Sequence, residues 1–403
     1  MREELITASI SKIVDAGSLA GAATLVWQDG KVIQTAGIGW RDIEFKLPIE
    51  RDTLFRIASM TKPITSTVAL MLFDEGRFAL NDPITRWAPE FSQMRVLRSP
   101  TGMLNQTEPA ERLITFEDLL SHRSGLTYGD WHSGPIAKAF KDALGSTIDS
   151  EVLPDDWIAR LAALPLIDQP GAAFHYGHST DLLGLLIARM EDAPLGDVLK
   201  RRIFDPLGMH DTGFTVPLEK QPRRAAAYGF DDAGQLCKRL TGPGDSFLPE
   251  RPAGMAYVSG GQGLWSTVDD YLAFARMFLN AGTVNDFRLL QPKTLKRMMT
   301  NCLSENQLVK ARSMLNAGHG FGLGVAMVLD PLKAGPQPCG GGKGAVGWPG
   351  AFGGWWRADP NNNSVLIFLA HNMLELEQIL DGIGLGVFEA ITQFQAQASS
   401  LLR

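Results

Sequence analysis

Phe55-Arg56-Ile57-Ala58-Ser59-Met60-Thr61-Lys62-Pro63 sets a serine three residues ahead of a lysine, at the start of an apolar run. Positions i and i+3 of a helix share one face about one turn apart, so the Lys62 amine is within reach of the Ser59 hydroxyl. Ile64, Val68, Ala69, Leu72 and Phe73 recur at three- and four-residue steps, which predicts a helix from about Met60 to Glu75 closed by Gly76. Pro63 fixes where it begins, because only in the first turn does the N–H that proline lacks have no partner to lose. Ser59 is therefore expected at the helix N-terminus. There the unpaired backbone donors and the positive end of the dipole favour a serine alkoxide and the oxyanion its attack creates.

Spacing alone does not decide between a nucleophile beside its base and a helix-capping serine beside a solvated lysine. The chain holds a second match, Ser9-Ile10-Ser11-Lys12, but this lies in an N-terminal helical stretch whose buried stripe is Leu5, Ile6, Ile10, Ile13 and Val14. It reads as a surface coincidence. If Ser59 is the nucleophile, Lys62 can take its proton only when burial or nearby positive charge lowers the amine from its ordinary pKa of about 10.4. A third group is expected beside them. Of the five tyrosines, Tyr176 stands out in Phe174-His175-Tyr176-Gly177-His178, a glycine-bounded loop before a helix capped by Ser179 or Thr180. It reads either as an acid/base group held by rigid neighbours or as a packing tyrosine.

The histidines suggest no rival arrangement. Gly-x-Ser-x-Gly is absent, His122 and His178 have no acidic partner at a telling spacing, and His122 is expected to play a structural role at a helix end. No His-Glu-x-x-His or carboxylate cluster points to a metal. The formal net charge of −6 and pI near 5.7, without a basic run, argue against nucleic acid or an anionic membrane as partner. Cys237, Cys302 and Cys339 are odd in number and widely spaced, and are read as free thiols. The N-terminus lacks the apolar core of a signal peptide and no later run of about 18 apolar residues follows, so a cytoplasmic location is the expectation.

Around the central stretch the pattern alternates between textures. Ala22 to Trp27 and Lys31 to Ala36 are strand-like and meet at Asp29-Gly30, a hairpin signal. From Leu80 to about Phe204 the pattern is helical, with Thr115-Phe116-Glu117-Asp118 as a capping box. Beyond Leu207 glycines and strands return, with candidates at Gly213 to Val216, Ala226 to Phe230, Phe321 to Leu329, Gly353 to Ala358 and Ser364 to Ala370. A helix capped at Ser266-Thr267 runs to Leu279, and a last helix from about Leu376 to Ala398 covers the final strand. The expected class is α+β, an antiparallel sheet flanked by helices plus an all-α part. The divisions expected are 1–80 and 206–403 as two parts of one α/β body, with a mostly helical domain at 81–205.

Ser59-Met60-Thr61-Lys62, Leu119-Leu120-Ser121-His122-Arg123-Ser124-Gly125-Leu126, Tyr176 before Asp181-Leu182-Leu183-Gly184, Pro206-Leu207-Gly208-Met209, Ser259-Gly260-Gly261 and Phe321-Gly322-Leu323-Gly324 follow one another along nearly the whole chain. In that order they resemble the landmarks of the serine β-lactamase-like superfamily. The chain is most similar to the family VIII carboxylesterases and related acyltransferases, which resemble class C β-lactamases. The resemblance implies a β-lactamase-like fold, Ser59 as acylated nucleophile, Lys62 as its proton acceptor and Tyr176 as acid/base partner, in a cleft between body and helical domain. It further implies an oxyanion hole from the backbone N–H groups of Ser59 and Ala351.

Two departures bear on substrate. The Lys-Thr-Gly of β-lactamases and penicillin-binding proteins is Trp348-Pro349-Gly350 here, so a carboxylate-holding ammonium gives way to an apolar ring. The class C Tyr-x-Asn becomes Tyr176-Gly177-His178, without the substrate-binding amide. Trp348, Gly350, Tyr128 and His178 are the expected substrate contacts, Tyr128 being equally readable as loop packing. The expectation is a carboxylesterase for short to medium acyl esters, working without metal or cofactor on a small-molecule ester. A β-lactamase, a D-alanyl peptidase or an acyltransferase using the same acyl-enzyme is the alternative. Oligomeric state is not legible.

Overall fold

The computed structural model describes residues 2–145, 148–239, 251, 255–335 and 341–402; Cys339 lies outside them. Every residue of Gly21–Gln28 (β1) is buried, and the two-residue alternation of its side chains feeds two different cores. Ala23, Leu25 and Trp27 belong to one core, Ala22 and Val26 to the other. Asp29 and Gly30, both at positive φ, turn β1 back into Lys31–Asp42 (β2), the hairpin their sequence predicts. Leu47–Pro48 (β3) lies beyond β2. The C-terminal third adds His319–Phe321 (β4), Ala326–Val328 (β5), Val346–Gly347 (β6), Trp355–Asp359 (β7) and Ser364–Ala370 (β8). Their order is β4-β5-β6-β7-β8-β1-β2-β3, an eight-stranded antiparallel sheet in which Leu25 faces Ile367 and Trp355 faces Phe368.

One face of this sheet is covered by the terminal helices Arg2–Asp15 and Leu385–Ser399. Ile6, Ile10 and Ile13 meet Val387, Ile391 and Phe394 over Val26, Leu366 and Phe368. Leu5, expected in that stripe, is 50% exposed, because Ile6, Ile10 and Ile13 already fill the narrow face the sheet offers. The other face receives the helix Thr61–Asp74, buried on all sides from Thr61 to Leu72. An apolar core runs from the sheet through Ile64, Val68 and Leu72 to Leu119, Trp157 and Leu186 of the middle segment. That segment is mostly helical, with Phe116–Leu120, Pro154–Ala162 and Ser179–Glu191, and with Pro135–Leu144, which the sequence did not single out. Thr115 and Asp118 form the expected capping box.

The segment also holds a short antiparallel ribbon, Arg95–Leu97 with Thr107–Pro109, which the helical reading did not include. Three further details differ. The strand expected over 321–329 is a hairpin of β4 and β5, because Gly324 takes φ +89° in the turn between them. Gly213 to Val216 contributes only an isolated bridge from Gly213 to Trp265. The last helix is broken into Leu376–Leu380 and Leu385–Ser399, with Gly382 and Gly384 at positive φ between them. Among the described residues no helix is long and apolar enough to cross a membrane.

Candidate active site

Ser59 lies in a 3₁₀ turn, Ala58–Met60, that runs directly into the central helix Thr61–Asp74. Ala58 holds φ +44°, a left-handed conformation that costs a non-glycine residue about 1–2 kcal/mol. Its neighbours keep it there. The strand Phe55–Arg56 pairs with Trp265–Ser266, Ile57 N–H donates to Leu264 O at 3.0 Å, and the Tyr271 hydroxyl donates to Met60 O at 2.9 Å. The kink brings the chain from strand to helix and leaves Ser59 at the mouth of the turn, 7% exposed.

Lys62, one turn further on, is wholly buried. Its Nζ lies 3.2 Å from Ser59 Oγ, 3.2 Å from the Tyr128 hydroxyl and 3.0 Å from Gly261 O. Burial lowers its pKa to about 7, against the opposing pull of the Asp181 charge. The amine is therefore substantially neutral at physiological pH.

Tyr176 approaches from the other side. Its hydroxyl accepts from Trp348 Nε1–H at 2.9 Å and lies close enough to Ser59 for the serine to act on its pKa, while its ring lies 4.5 Å from Lys62 Nζ. Burial raises its pKa above the ordinary tyrosine value even though Ser59 and the Trp348 bond act to lower it. The residue is thus a neutral O–H donor around pH 7. Gly177 explains how its loop comes so near: a Cβ there would lie 2.3 Å from Thr127 Cα, so only glycine lets the Tyr176 loop rest on the Thr127–Tyr128 backbone. His122, buried at φ +54°, packs its ring 4.8 Å from that of Tyr176. Burial and the Lys62 charge hold it neutral, consistent with its structural reading.

Beneath Lys62 sits a carboxylate whose role the sequence reading did not identify. Asp181, fully buried near the start of the Ser179–Glu191 helix, accepts from the Tyr128 hydroxyl at 3.4 Å and from His178 Nδ1 at 3.0 Å on one oxygen. Its other oxygen accepts from Ser259 Oγ at 2.5 Å and Gly261 N–H at 3.0 Å. Burial would raise its pKa, but the His178 bond, the Lys62 charge and the Ser259 bond bring it below the usual value. A Cβ on Gly261 would lie 2.9 Å from Asp181 Oδ1 and 3.2 Å from the Tyr128 oxygen, so the Ser259-Gly260-Gly261 turn passes here because it has no side chain.

The pocket residues divide accordingly. Tyr128, readable as loop packing, is instead a direct partner of Lys62. His178, expected against substrate, is 2% exposed, bonded to Asp181 and enclosed by Phe140, Tyr128 and Trp157. The judgement that it lacks an acidic partner was mistaken, since Asp181 stands three residues on in the same helical turn. Trp348, 4% exposed, reaches the site through its N–H to Tyr176 and packs against Phe321. Gly350 lies against the Ser59 turn, where a Cβ would stand 2.4 Å from Ile57 O. Ala351 follows it, and among the described residues its N–H has no backbone acceptor.

Two small apolar clusters include residues of the site. One holds Tyr128, Phe174, Tyr176, Leu315, Phe321 and Trp348; the other holds Ala58, Ile148 and Phe352, with Met373 against them. A cavity of about 1040 Å³ opens elsewhere, between Ile158, Leu185, Phe214 and Val258, and none of Ser59, Lys62 or Tyr176 lines it. The chemistry, not the volume, identifies the site.

Fold and site together define a serine hydrolase or acyl-transfer enzyme with a β-lactamase-like architecture. The chain belongs to the Beta-lactamase family, whose model matches residues 6–380. It is 46% identical to Protein Rv1367c of Mycobacterium tuberculosis, over 92% of this chain and 90% of that protein. It is 31% identical to Esterase EstB of Burkholderia gladioli, over 85% of this chain and 83% of that one. Among solved structures, EstCE1, described as a hydrolase with promiscuous acyltransferase activity, superposes with a TM-score of 0.77 at 25% identity, covering 97% of this chain and 99% of the other.

Proposed function

We propose that the protein is a carboxylesterase that cleaves short to medium acyl esters through an acyl-enzyme on Ser59. The observation that carries this reading is the wholly buried Lys62 amine 3.2 Å from Ser59 Oγ. A neutral amine there accepts the hydroxyl proton as Oγ attacks the ester carbonyl, and the oxyanion that forms is held by the N–H groups of Ser59 and Ala351. Tyr176, a neutral donor beside Ser59, passes a proton to the departing alkoxide and is resupplied from the Lys62 ammonium. Water then enters by the reverse relay and releases the acid.

Ester preference rests on Trp348. An ammonium worth about 1.5–3 kcal/mol to a substrate carboxylate is replaced by Trp348, so a neutral ester loses nothing and a carboxylate loses its anchor. The likeness to EstB supports an esterase, and the likeness to EstCE1 supports a second outcome from the same intermediate, acyl transfer to an alcohol. Steady-state rates on p-nitrophenyl acetate, butyrate and a long-chain ester, beside nitrocefin, test the assignment. Turnover of the two shorter esters well above nitrocefin is expected; no ester turnover by the folded protein would sink it.

The pH profile has a definite sign. A lowered lysine pKa means that the amine loses its proton as pH rises through about 7, so kcat/KM for acylation is expected to climb through that value and then level off. Tyr176, raised by burial, stays protonated well beyond it and adds no descending limb near neutrality. The same depressed pKa makes the unfolded chain bind more protons than the native one from about pH 7 up to the ordinary lysine range, so Lys62 lends stability that grows with pH across that window. A profile flat from pH 6 to 8 would contradict Lys62 as the proton acceptor.

A further inference from the structure

No step of the acyl-enzyme reading uses Asp181, yet this buried carboxylate has both oxygens engaged by four groups. An inventory of donors shows what it does. Gly261 O can only accept, so Lys62 donates to it at 3.0 Å. The Tyr128 hydroxyl has one proton and an ionised carboxylate can only accept, so that proton goes to Asp181, over a long 3.4 Å. The Tyr128 oxygen is then an acceptor, and it takes a second N–H from Lys62 at 3.2 Å. A neutral amine has two N–H groups and one lone pair. With both N–H groups engaged, the lone pair is left facing the remaining partner, Ser59 Oγ.

We infer that Asp181 is a positioning residue which, through Tyr128, fixes the direction of the chain Ser59→Lys62→Tyr128→Asp181 and so holds the Lys62 lone pair on the nucleophile's proton. The inference rests on the acyl-enzyme reading above and gives that site its orientation. The lowered pKa of Lys62 agrees with it, since an ammonium would have no lone pair to aim. His178 and Ser259 donate to the same carboxylate, and Gly261 binds Asp181 through its N–H while accepting from Lys62 through its carbonyl. One glycine residue thus bridges the carboxylate and the amine.

Asp181→Asn is the decisive variant. Gly261 N–H is an obligate donor, so the asparagine oxygen must take the Oδ1 position and its NH₂ must face both Tyr128 and His178, whose Nδ1 accepts once the ring proton moves to Nε2. Tyr128 then accepts from the amide and turns its own proton onto the Lys62 lone pair, away from Ser59. The expected result is a fall in kcat of about a hundredfold or more with little change in KM. Adding Tyr128→Phe should recover about tenfold, because no hydroxyl then competes for the lone pair.

A residue that only supports the fold gives no such rescue, and a double variant no faster than Asp181→Asn overturns the inference. Circular dichroism and Tm establish that each variant is folded. If Asp181→Asn does not fold, Tyr128→Phe decides alone. It must lower kcat about tenfold at unchanged KM, and an unchanged kcat, or a raised KM alone, overturns the chain. Mass spectrometry of the native enzyme with ester separates the two levels. Acylated Ser59 without the rescue refutes only the positioning role, whereas an unacylated Ser59 refutes the reading beneath it.

Discussion

Ser59→Ala is expected to lower kcat/KM for p-nitrophenyl butyrate by at least about ten-thousandfold and to abolish the acyl adduct, while Tm stays within a few degrees of native. The loss is total for the covalent route because Lys62 then has no hydroxyl to deprotonate. Lys62→Ala should do nearly as much, and the double variant little more, since nucleophile and proton acceptor act as one unit. The control lies in the same chain. Ser9 bonds Ile6 O at 3.0 Å within its own helix and Lys12 is exposed, so Ser9→Ala and Lys12→Ala should leave activity unchanged. Retention of an acyl adduct in Ser59→Ala would mean that another residue is the nucleophile.

Tyr176→Phe is expected to cost kcat about a hundred- to ten-thousandfold, the range for loss of a positioned proton donor. Its ring remains to pack against Trp348 and His122, so the fold should hold. Trp348→Phe should cost about tenfold, because it removes only the N–H that orients the Tyr176 oxygen. In a Tyr176→Phe background the Trp348 change should then cost almost nothing. Trp348→Lys both restores a cation and alters the partner of Tyr176, so the ratio of nitrocefin to ester kcat/KM, not either rate, reports specificity. That ratio should rise, and an unchanged ratio would deny Trp348 a part in substrate choice. Additive losses at Tyr176 and Trp348 would show that the two do not act through one hydrogen bond.

The elements of the site that were legible are those whose evidence is local. Ser59 and Lys62 offer a spacing of one helical turn with Pro63 fixing its start, and Tyr176 a glycine-bounded loop, but it is the resemblance of the ordered motifs that singles them out. Asp29-Gly30 carries its hairpin in two residues, and Leu366 to Leu369 announces a strand covered on both faces. What escaped depends on partners distant in sequence. Tyr128 reads as a loop tyrosine until it is placed 3.2 Å from Lys62, a residue 66 positions away. Asp181 was one landmark among several, and only the meeting of two helices with the Ser259–Gly261 turn makes it the acceptor beneath the amine. The His178–Asp181 pair was a missed local signal, since its three-residue spacing stood in the sequence. The turn at Gly324 was missed for a different reason, because a continuous apolar run does not reveal where a left-handed glycine divides it.

The Gly350 backbone pressed against the Ile57–Ala58 turn has a consequence during synthesis. Ser59 is translated early, but Gly261, which holds Lys62, emerges about 200 residues later and Gly350 about 290 residues later. At roughly 5–20 residues per second, a growing chain carries Ser59 for about 15–60 s before those neighbours exist. Through that interval the serine hydroxyl has no clamped amine beside it and no second backbone donor to receive an oxyanion. On the acyl-enzyme reading proposed above, the nascent chain is as inert as any serine-containing peptide, and reactivity begins only when the last third of the polypeptide closes on the first.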